Sequence, residues 1–420
     1  MRPPPPDSSN STRRTPVLDA MLWPLQAFLR LEAASGILLL ACAAAALVWA
    51  NLDPVSYRAL VDRSIAFTVA GAHVGFTLHA LINDGLMSLF FFVVGMEIKR
   101  ELVIGELSSF AKASLPAVAA LGGMLVPAGV YLAFNVRGPG LVGWGIPMAT
   151  DIAFCVGILT LLKSRVPRGL VVFVTALAIF DDIGSILVIA LFYGSGLHAW
   201  WLLGAGALTL ALVALGSRHV ESGLVYAVGG VALWYALHHG GVHATIAGVI
   251  LGLCIPAHPR PDRDGRRSNE LGGDHAQSPL DRFVHRLHPV AAFAVMPLFA
   301  LANTGVPLRH LGLSTLGEPV ALGVGLGLFA GKQVGIFGAT LLAVRLGLAR
   351  IPGEASPAKL FGVSVLGGIG FTVSLFIAAL AYAEAPALLD QAKLGVLLGS
   401  LGSGVVGFAI LRAGAREPAA

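Results

Sequence analysis

Two aspartates stand side by side, Asp181 and Asp182, in the run TALAIFDDIGSILVIALF, and no other charged residue lies between Val171 and Phe192. A third, Asp151, follows Thr150 in GWGIPMATDIAFCVG, and one basic residue, Lys332, stands alone in LGLFAGKQVGIFGATLL. An ionisable group inside an apolar segment costs several kcal/mol, so each needs a partner, a water cavity or a function. A single membrane carboxylate such as Asp84 or Asp151 has an ordinary explanation, a protonated hydrogen bond between helices. The adjacent pair does not, because helix neighbours point about 100° apart and a single interhelical partner hardly satisfies both. Two carboxylates can replace part of the hydration shell of a hard monovalent cation, whose preferred ligands are oxygens. They can equally hold protons, and the two then compete for one site.

The elements that position these groups are set by composition. Of 420 residues 56% are hydrophobic and only 12% charged, with a mean hydropathy of +0.80. An apolar run of about 20 residues crosses a bilayer as a helix. Runs of helical length lie near 33–50, 78–98, 113–134, 140–162, 170–193, 199–216, 223–237, 242–256, 283–302, 320–344, 358–382 and 394–411. The expected fold is therefore an all-α polytopic membrane protein of about twelve spans. The seventh and eighth are short and separated by LHHGG, so a re-entrant pair or one bent span is the alternative. The 52 glycines suit helices that approach closely. Cys42, Cys155 and Cys254 lie in separate apolar runs, which argues against a disulfide or a metal cluster.

A formal charge of +5 does not point to nucleic acid, because the basic residues are scattered over many loops. They read as topology signals. With twelve spans and both termini cytoplasmic, 22 of the 28 Lys and Arg residues fall inside, 5 fall outside, and Lys332 lies within a span. The expected organisation has a disordered cytoplasmic tail over 1–32 and eight spans over 33–256. A flexible cytoplasmic linker follows over 257–278, then four spans over 279–412 and a short cytoplasmic tail over 413–420.

Two spans are poor continuous helices. Pro147 removes a backbone hydrogen bond just before Thr150 and Asp151, and Gly367, Gly368 and Gly370 weaken the centre of FGVSVLGGIGFTVSLF. These are the middle spans of two three-span groups, near 113–193 and 320–411, a pattern that points to inverted repeats meeting at a binding site. Broken half-helices expose partial charges of about half a unit. Asp151 suits the positive N-terminal ends and Lys332 the negative C-terminal ones.

The strings VGMEIKREL, PMATDIAFCVG, ALAIFDDIGSI, GVHATIAGVILG, HRLHP, PLFALANTGV and GGIGFTVSLFIA resemble, in order, those of the NhaA-type Na+/H+ antiporter family, from about Ser35 to Arg412. The family is itself a standard example of inverted-topology repeats. The resemblance implies a cation and proton site at Asp181 and Asp182, with Asp182 the more direct Na+ ligand. Thr150 and Asp151 match an unwound fourth span, Lys332 a tenth-span lysine paired electrostatically with the site, and Gly370 an unwound eleventh span. Glu97, Lys99, Arg100 and Glu101 match a charged cluster associated with pH response, and His243, His285 and His288 match histidines near it. Val284 stands immediately before His285, where the family commonly has glutamate, and the nearest acid is Asp281.

The activity so implied is exchange of intracellular Na+, with Li+ as a second substrate, for extracellular H+. It would be electrogenic, with two protons per sodium, pH-regulated, and work by alternating access in a bacterial cytoplasmic (inner) membrane. The transported ions are substrates and no cofactor is expected. The lipid bilayer is the surrounding partner, a homodimer is an assembly left open, and neither nucleic acid nor an enzymatic reaction is expected. An intramembrane aspartyl protease would need Gly-x-Gly-Asp on a second helix, which the sequence lacks. A cation channel would need a repeated filter-like segment, also lacking.

Overall fold

The protein is described from a computed structural model covering residues 16–69, 72–162, 165–194, 196–258, 278–308, 313–349, 351 and 355–414. Helix α1 (Pro16–Leu52) is followed by the short α2 (Pro54–Val61) and an antiparallel hairpin, β1 (Ser64–Val69) with β2 (Ala72–Thr77), paired from Ser64 opposite Thr77 to Val69 opposite Ala72. Then come α3 (Leu78–Val103), α4 (Phe110–Asn135), a 3-10 segment (Pro139–Met148), α5 (Ile152–Leu161) and α6 (Arg168–Phe192). The chain continues through α7 (Ala199–Ser217), α8 (Gly223–His239), α9 (Ile246–Cys254), α10 (Pro279–Asn303) and α11 (Pro319–Arg345). It ends with α12 (Pro357–Leu366), α13 (Phe371–Ala381) and α14 (Pro386–Ala413).

Among the described residues nine helices are long and apolar enough to cross a bilayer, and α12 with α13, bent by 42°, make up to ten. The difference from twelve lies in α8 and α9, of 17 and 9 residues, the first at the lower limit for crossing a bilayer and the second well below it. Most of α9 is buried among its neighbours, with Leu253 exposed. Two features depart from the sequence reading. Residues 16–32, expected in a disordered tail, already belong to α1, while 1–15 lie outside the described residues. Pro16 sits in the first turn, where its missing N–H costs nothing, and the Leu, Met, Ala and Gln that follow favour helix. The hairpin was not anticipated, although Ile65, Phe67 and Val69 alternate with smaller residues before the Ala70-Gly71 turn signal. The expected linker falls largely on 259–277, outside the described residues.

Glycines set how closely the helices cross. A Cβ on Gly122 of α4 would stand 2.3 Å from the carbonyl oxygen of Gly335 on α11, and one on Gly335 would stand 2.1 Å from that of Gly122. The α3–α9 crossing is equally tight, with a Cβ on Gly248 falling 2.2 Å from the Ser88 carbonyl oxygen. In lipid, where neighbouring tails are as apolar as leucine, such backbone approach supplies the attraction between helices. The apolar faces left exposed, including Leu203 and Leu210 on α7 and Leu224 and Val231 on α8, suit a hydrocarbon solvent.

Candidate functional site

The two interrupted spans meet at their breaks. The 3-10 segment stops at Met148, Ala149 and Asp151 are extended, and α5 begins at Ile152. A 3-10 run of ten residues is long for that geometry, and Pro147 near its end cannot donate to the ladder. The second break, between Leu366 and Phe371, is held open by the glycine-rich run singled out above, with Gly370 as the N-cap of α13. A Cβ on Gly368 would fall 2.4 Å from the Leu328 carbonyl oxygen, so only glycine admits α11 this close. The Asp151 backbone N–H donates to the Ile369 carbonyl at 2.6 Å, tying one break to the other.

Asp151 stabilises both half-helices that start here. Its Oδ1 accepts from the Phe154 N–H of α5 at 3.3 Å, and its Oδ2 accepts from the Thr372 N–H of α13 at 3.1 Å and from the Thr372 hydroxyl at 2.5 Å. A carboxylate thus meets unsatisfied donors at two positive helix ends, as the sequence suggested it would at half-helix N-termini.

Thr150, Asp181 and Lys332 form one buried cluster. The Lys332 ammonium donates to Asp181 Oδ2 in an ion pair and to Thr150 Oγ1 at 2.9 Å, and the Thr150 hydroxyl lies 2.6 Å from Asp181 Oδ2 and 2.8 Å from the Gly367 carbonyl oxygen. Lys332 and Asp181 are fully buried. The lysine therefore meets the C-terminal end of α12 only through the Thr150 hydroxyl, and its charge is matched by a carboxylate. Gly331 immediately before it packs on Pro127 of α4, and a wide turn of the helix over Gly327–Gly331 precedes it. Such π turns recur at functional positions. Two others, Leu81–Leu86 and Ala291–Val295, contain Asp84 and the cavity-lining Ala291 and Ala292.

Asp182, one residue on, faces elsewhere. It lines a cavity of about 480 Å³ together with Thr150, Asp151 and Thr372. The same cavity reaches Glu97, Arg100, Glu101 and His288, so the aspartate region and the charged end of α3 share one space. His288 Nδ1 lies 2.7 Å from Glu97 Oε1, and Arg100 lies 4.0 Å from Glu101. Lys99 points away, donating to the Leu253 and Ile255 carbonyls at 2.8 and 2.5 Å, where it satisfies the C-terminal end of α9. His285 is exposed. His243 is not brought to this cluster: its Nε2 is 3.9 Å from Asp84 and its ring meets Phe376 edge-on, near the hairpin end of α3. Thr372, which joins the site, was not singled out in the sequence. Its signal was its place just past a glycine break, at the start of a half-helix.

An interrupted-helix crossing with buried carboxylates, an ammonium and a cavity defines the protein as a multi-pass helical membrane protein built around an intramembrane polar site. The profile of the family described as Na+/H+ antiporter 1 matches residues 26–411. The chain is 58% identical to Na(+)/H(+) antiporter NhaA of Anaeromyxobacter sp. (strain Fw109-5), over 98% of this chain and 95% of that one. It is 53% identical to Na(+)/H(+) antiporter NhaA 1 of Myxococcus xanthus (strain DK1622), over 97% of each. With Na(+)/H(+) antiporter NhaA 2 of Pseudomonas syringae pv. syringae (strain B728a) it shares 48% identity, over 96% of this chain and 97% of the other. The chain belongs to the NhaA Na+/H+ antiporter family.

Proposed function

We propose that the protein exchanges intracellular Na+, and Li+, for extracellular H+ by alternating access at Asp181 and Asp182 in a bacterial cytoplasmic membrane, with both termini inside. The observation that carries this reading is the division of labour between the two aspartates: Asp181 is held by Lys332 and Thr150, while Asp182 lines the cavity. A cation entering that cavity meets Asp182 first and displaces its proton. Asp181 then exchanges its ammonium partner for the cation, and the three-span groups near 113–193 and 320–411 rock as inverted repeats to expose the site on the other face. Protons from outside displace the cation and reset the pair.

With two protons entering per Na+ leaving, one net charge moves inward per cycle. A membrane potential of 100 mV then contributes about 2.3 kcal/mol to sodium extrusion. The Glu97–His288 pair, together with Arg100 and Glu101, forms the proposed pH-response cluster, placed on the route by which protons and cations reach Asp182. Val284, in place of the family's glutamate, stands one helical turn before His288 on α10 and is expected to move the activation threshold.

The decisive measurement is Na+-driven proton flux in reconstituted vesicles. Asp182→Asn should insert and fold yet lose exchange, because it removes a cation ligand and a proton acceptor together. Asp181→Asn should do nearly the same. Near-normal flux in the Asp182 variant would remove the proposed site.

A further inference from the structure

The carboxylate of Asp181 has two oxygens, and the interactions described so far account for one. Oδ2 takes the Lys332 ammonium and the Thr150 hydroxyl, whereas Oδ1 is buried with no hydrogen-bond partner. A second orphaned group lies one helical turn further along α6: the Ser185 hydroxyl, on a residue only 1% exposed, has no partner either. Residues four apart share a helix face, with Cβ atoms about 5–6 Å apart, and helical side chains lean toward the N-terminus. Ser185 therefore shares with Asp181 one face of α6, a single turn apart.

Among the described residues three buried hydroxyls lack a partner, those of Ser185, Thr304 and Ser403, and of these only Ser185 lies on α6 with the aspartate pair. The hydroxyls of Thr160, Thr175, Thr340 and Ser364 all donate to the carbonyl four residues back, at 2.7–3.0 Å. Ser185 does not use that easy local partner. Leaving a hydroxyl and a carboxylate oxygen unmet in a packed interior is costly, and each such group in a folded protein calls for an explanation.

We propose that Asp181 Oδ1 and Ser185 Oγ form a second cation position, beyond Asp182 as seen from the cavity, and that Ser185 is a specificity-determining ligand for small alkali cations there. The inference rests on the exchange reading above and deepens it. Two oxygens, one charged and one neutral, are ligands a hard monovalent cation accepts. Since α6 starts at the Glu97 end, where Val171 and Thr175 share the cavity, Ser185 lies on the hairpin side of the aspartate pair. A cation moving from Asp182 to this position crosses from one half of the path to the other. It also sits on the same carboxylate as the Lys332 ammonium, and repulsion between the two weakens the ion pair at the moment of occupancy.

The test is Na+- and Li+-driven proton flux in vesicles, alongside thermal unfolding of the purified protein with and without each ion. Ser185→Ala should raise the Na+ concentration for half-maximal flux by about three- to tenfold, the size expected for one lost polar ligand. That rise should exceed any fall in maximal rate, and the ratio of Na+ to Li+ half-saturation should change. Ser185→Thr, which keeps a hydroxyl, should stay close to the native values. Ser185→Cys, similar in size but a softer ligand, should follow alanine. The proposal is overturned if Ser185→Ala leaves both half-saturation values in place, as a buried water or an idle hydroxyl would. It is equally overturned if stability and maximal rate fall in every variant, threonine included, with half-saturation unmoved. Failure of the aspartate site is distinguishable, because Asp182→Asn would then retain flux whatever Ser185 does.

Discussion

The two helix breaks solve one problem with different means. At the first, the chain supplies its own polar side chains: Thr150 and Asp151 sit in the gap and bond outward to Asp181, Gly367, Phe154 and Thr372. At the second, between Leu366 and Phe371, the chain supplies glycines and backbone carbonyls, and borrows its cap from the first break through Asp151. A break without a charged side chain can come very close to its neighbours, as Gly368 does to Leu328. A break that carries side chains holds the chemistry. Damage at the first break should therefore spread to the second, and the reverse should be milder.

The largest effect is expected at Lys332, whose partner Asp181 is fully buried. Lys332→Ala leaves a buried carboxylate without its cation and should destabilise the protein by about 3–5 kcal/mol in chemical unfolding, with loss of normal exchange. Lys332→Arg retains the charge and should keep substantial, electrogenic flux, seen as a potential-dependent dye response in vesicles. An active but electroneutral arginine variant would make Lys332 a proton carrier and detach it from the first break.

Next in size is the shared cap. Asp151→Ala strips two half-helices of an acceptor at once and should cost about 2–4 kcal/mol, from about 1 kcal/mol for each lost cap to about 2 kcal/mol for each where the donors left behind are buried. Asp151→Asn keeps one acceptor oxygen and should cost about half as much. Thr372→Val, confined to the second break, removes a single hydroxyl donor and should cost about 1 kcal/mol. If Thr372→Val proved as damaging as Asp151→Ala, the breaks would be equal partners and the asymmetry drawn above would be lost.

The smallest effect is expected where the same capping geometry meets water. Asp53 caps α2 by accepting from the Ser56 N–H at 3.1 Å, and that bond, with the Ser56 hydroxyl, holds its carboxyl below the ordinary value of 3.8. A lowered folded-state value means the cap's contribution is fully present above pH 3.8 and disappears as pH falls through the lowered value. Amide hydrogen-exchange protection over Pro54–Val61, taken relative to the intrinsic rate at each pH, should be flat from neutral pH to about pH 4 and fall below it, and Asp53→Ala should abolish that dependence. A pH-independent profile in the native protein would show that the cap contributes nothing in water.

Much of this molecule can be read from the chain because the bilayer makes charge conspicuous. Asp151, Asp181, Asp182 and Lys332 stand out in apolar runs, and Pro147 with the Gly367–Gly370 segment marks where helices must fail, since proline and glycine act through local backbone chemistry. The hairpin and the start of α1 were also written locally, in alternation and in helix-forming composition, and were obscured only by the stronger signal of the spans. Partnership was not legible. The run around Asp181 and Asp182 is apolar on every side, so its periodicity names no buried face, and only the packing of α6 against the crossed breaks turns Asp181 to Lys332 and Asp182 to the cavity. For the same reason three histidines that looked alike in sequence part company, His288 beside Glu97, His285 on the surface and His243 near Asp84. The sequence by itself determined which groups the membrane must tolerate and where the backbone breaks; the tertiary structure decided which group faces which, because that depends on helix rotation, and helix rotation is fixed by close packing between segments far apart in the chain.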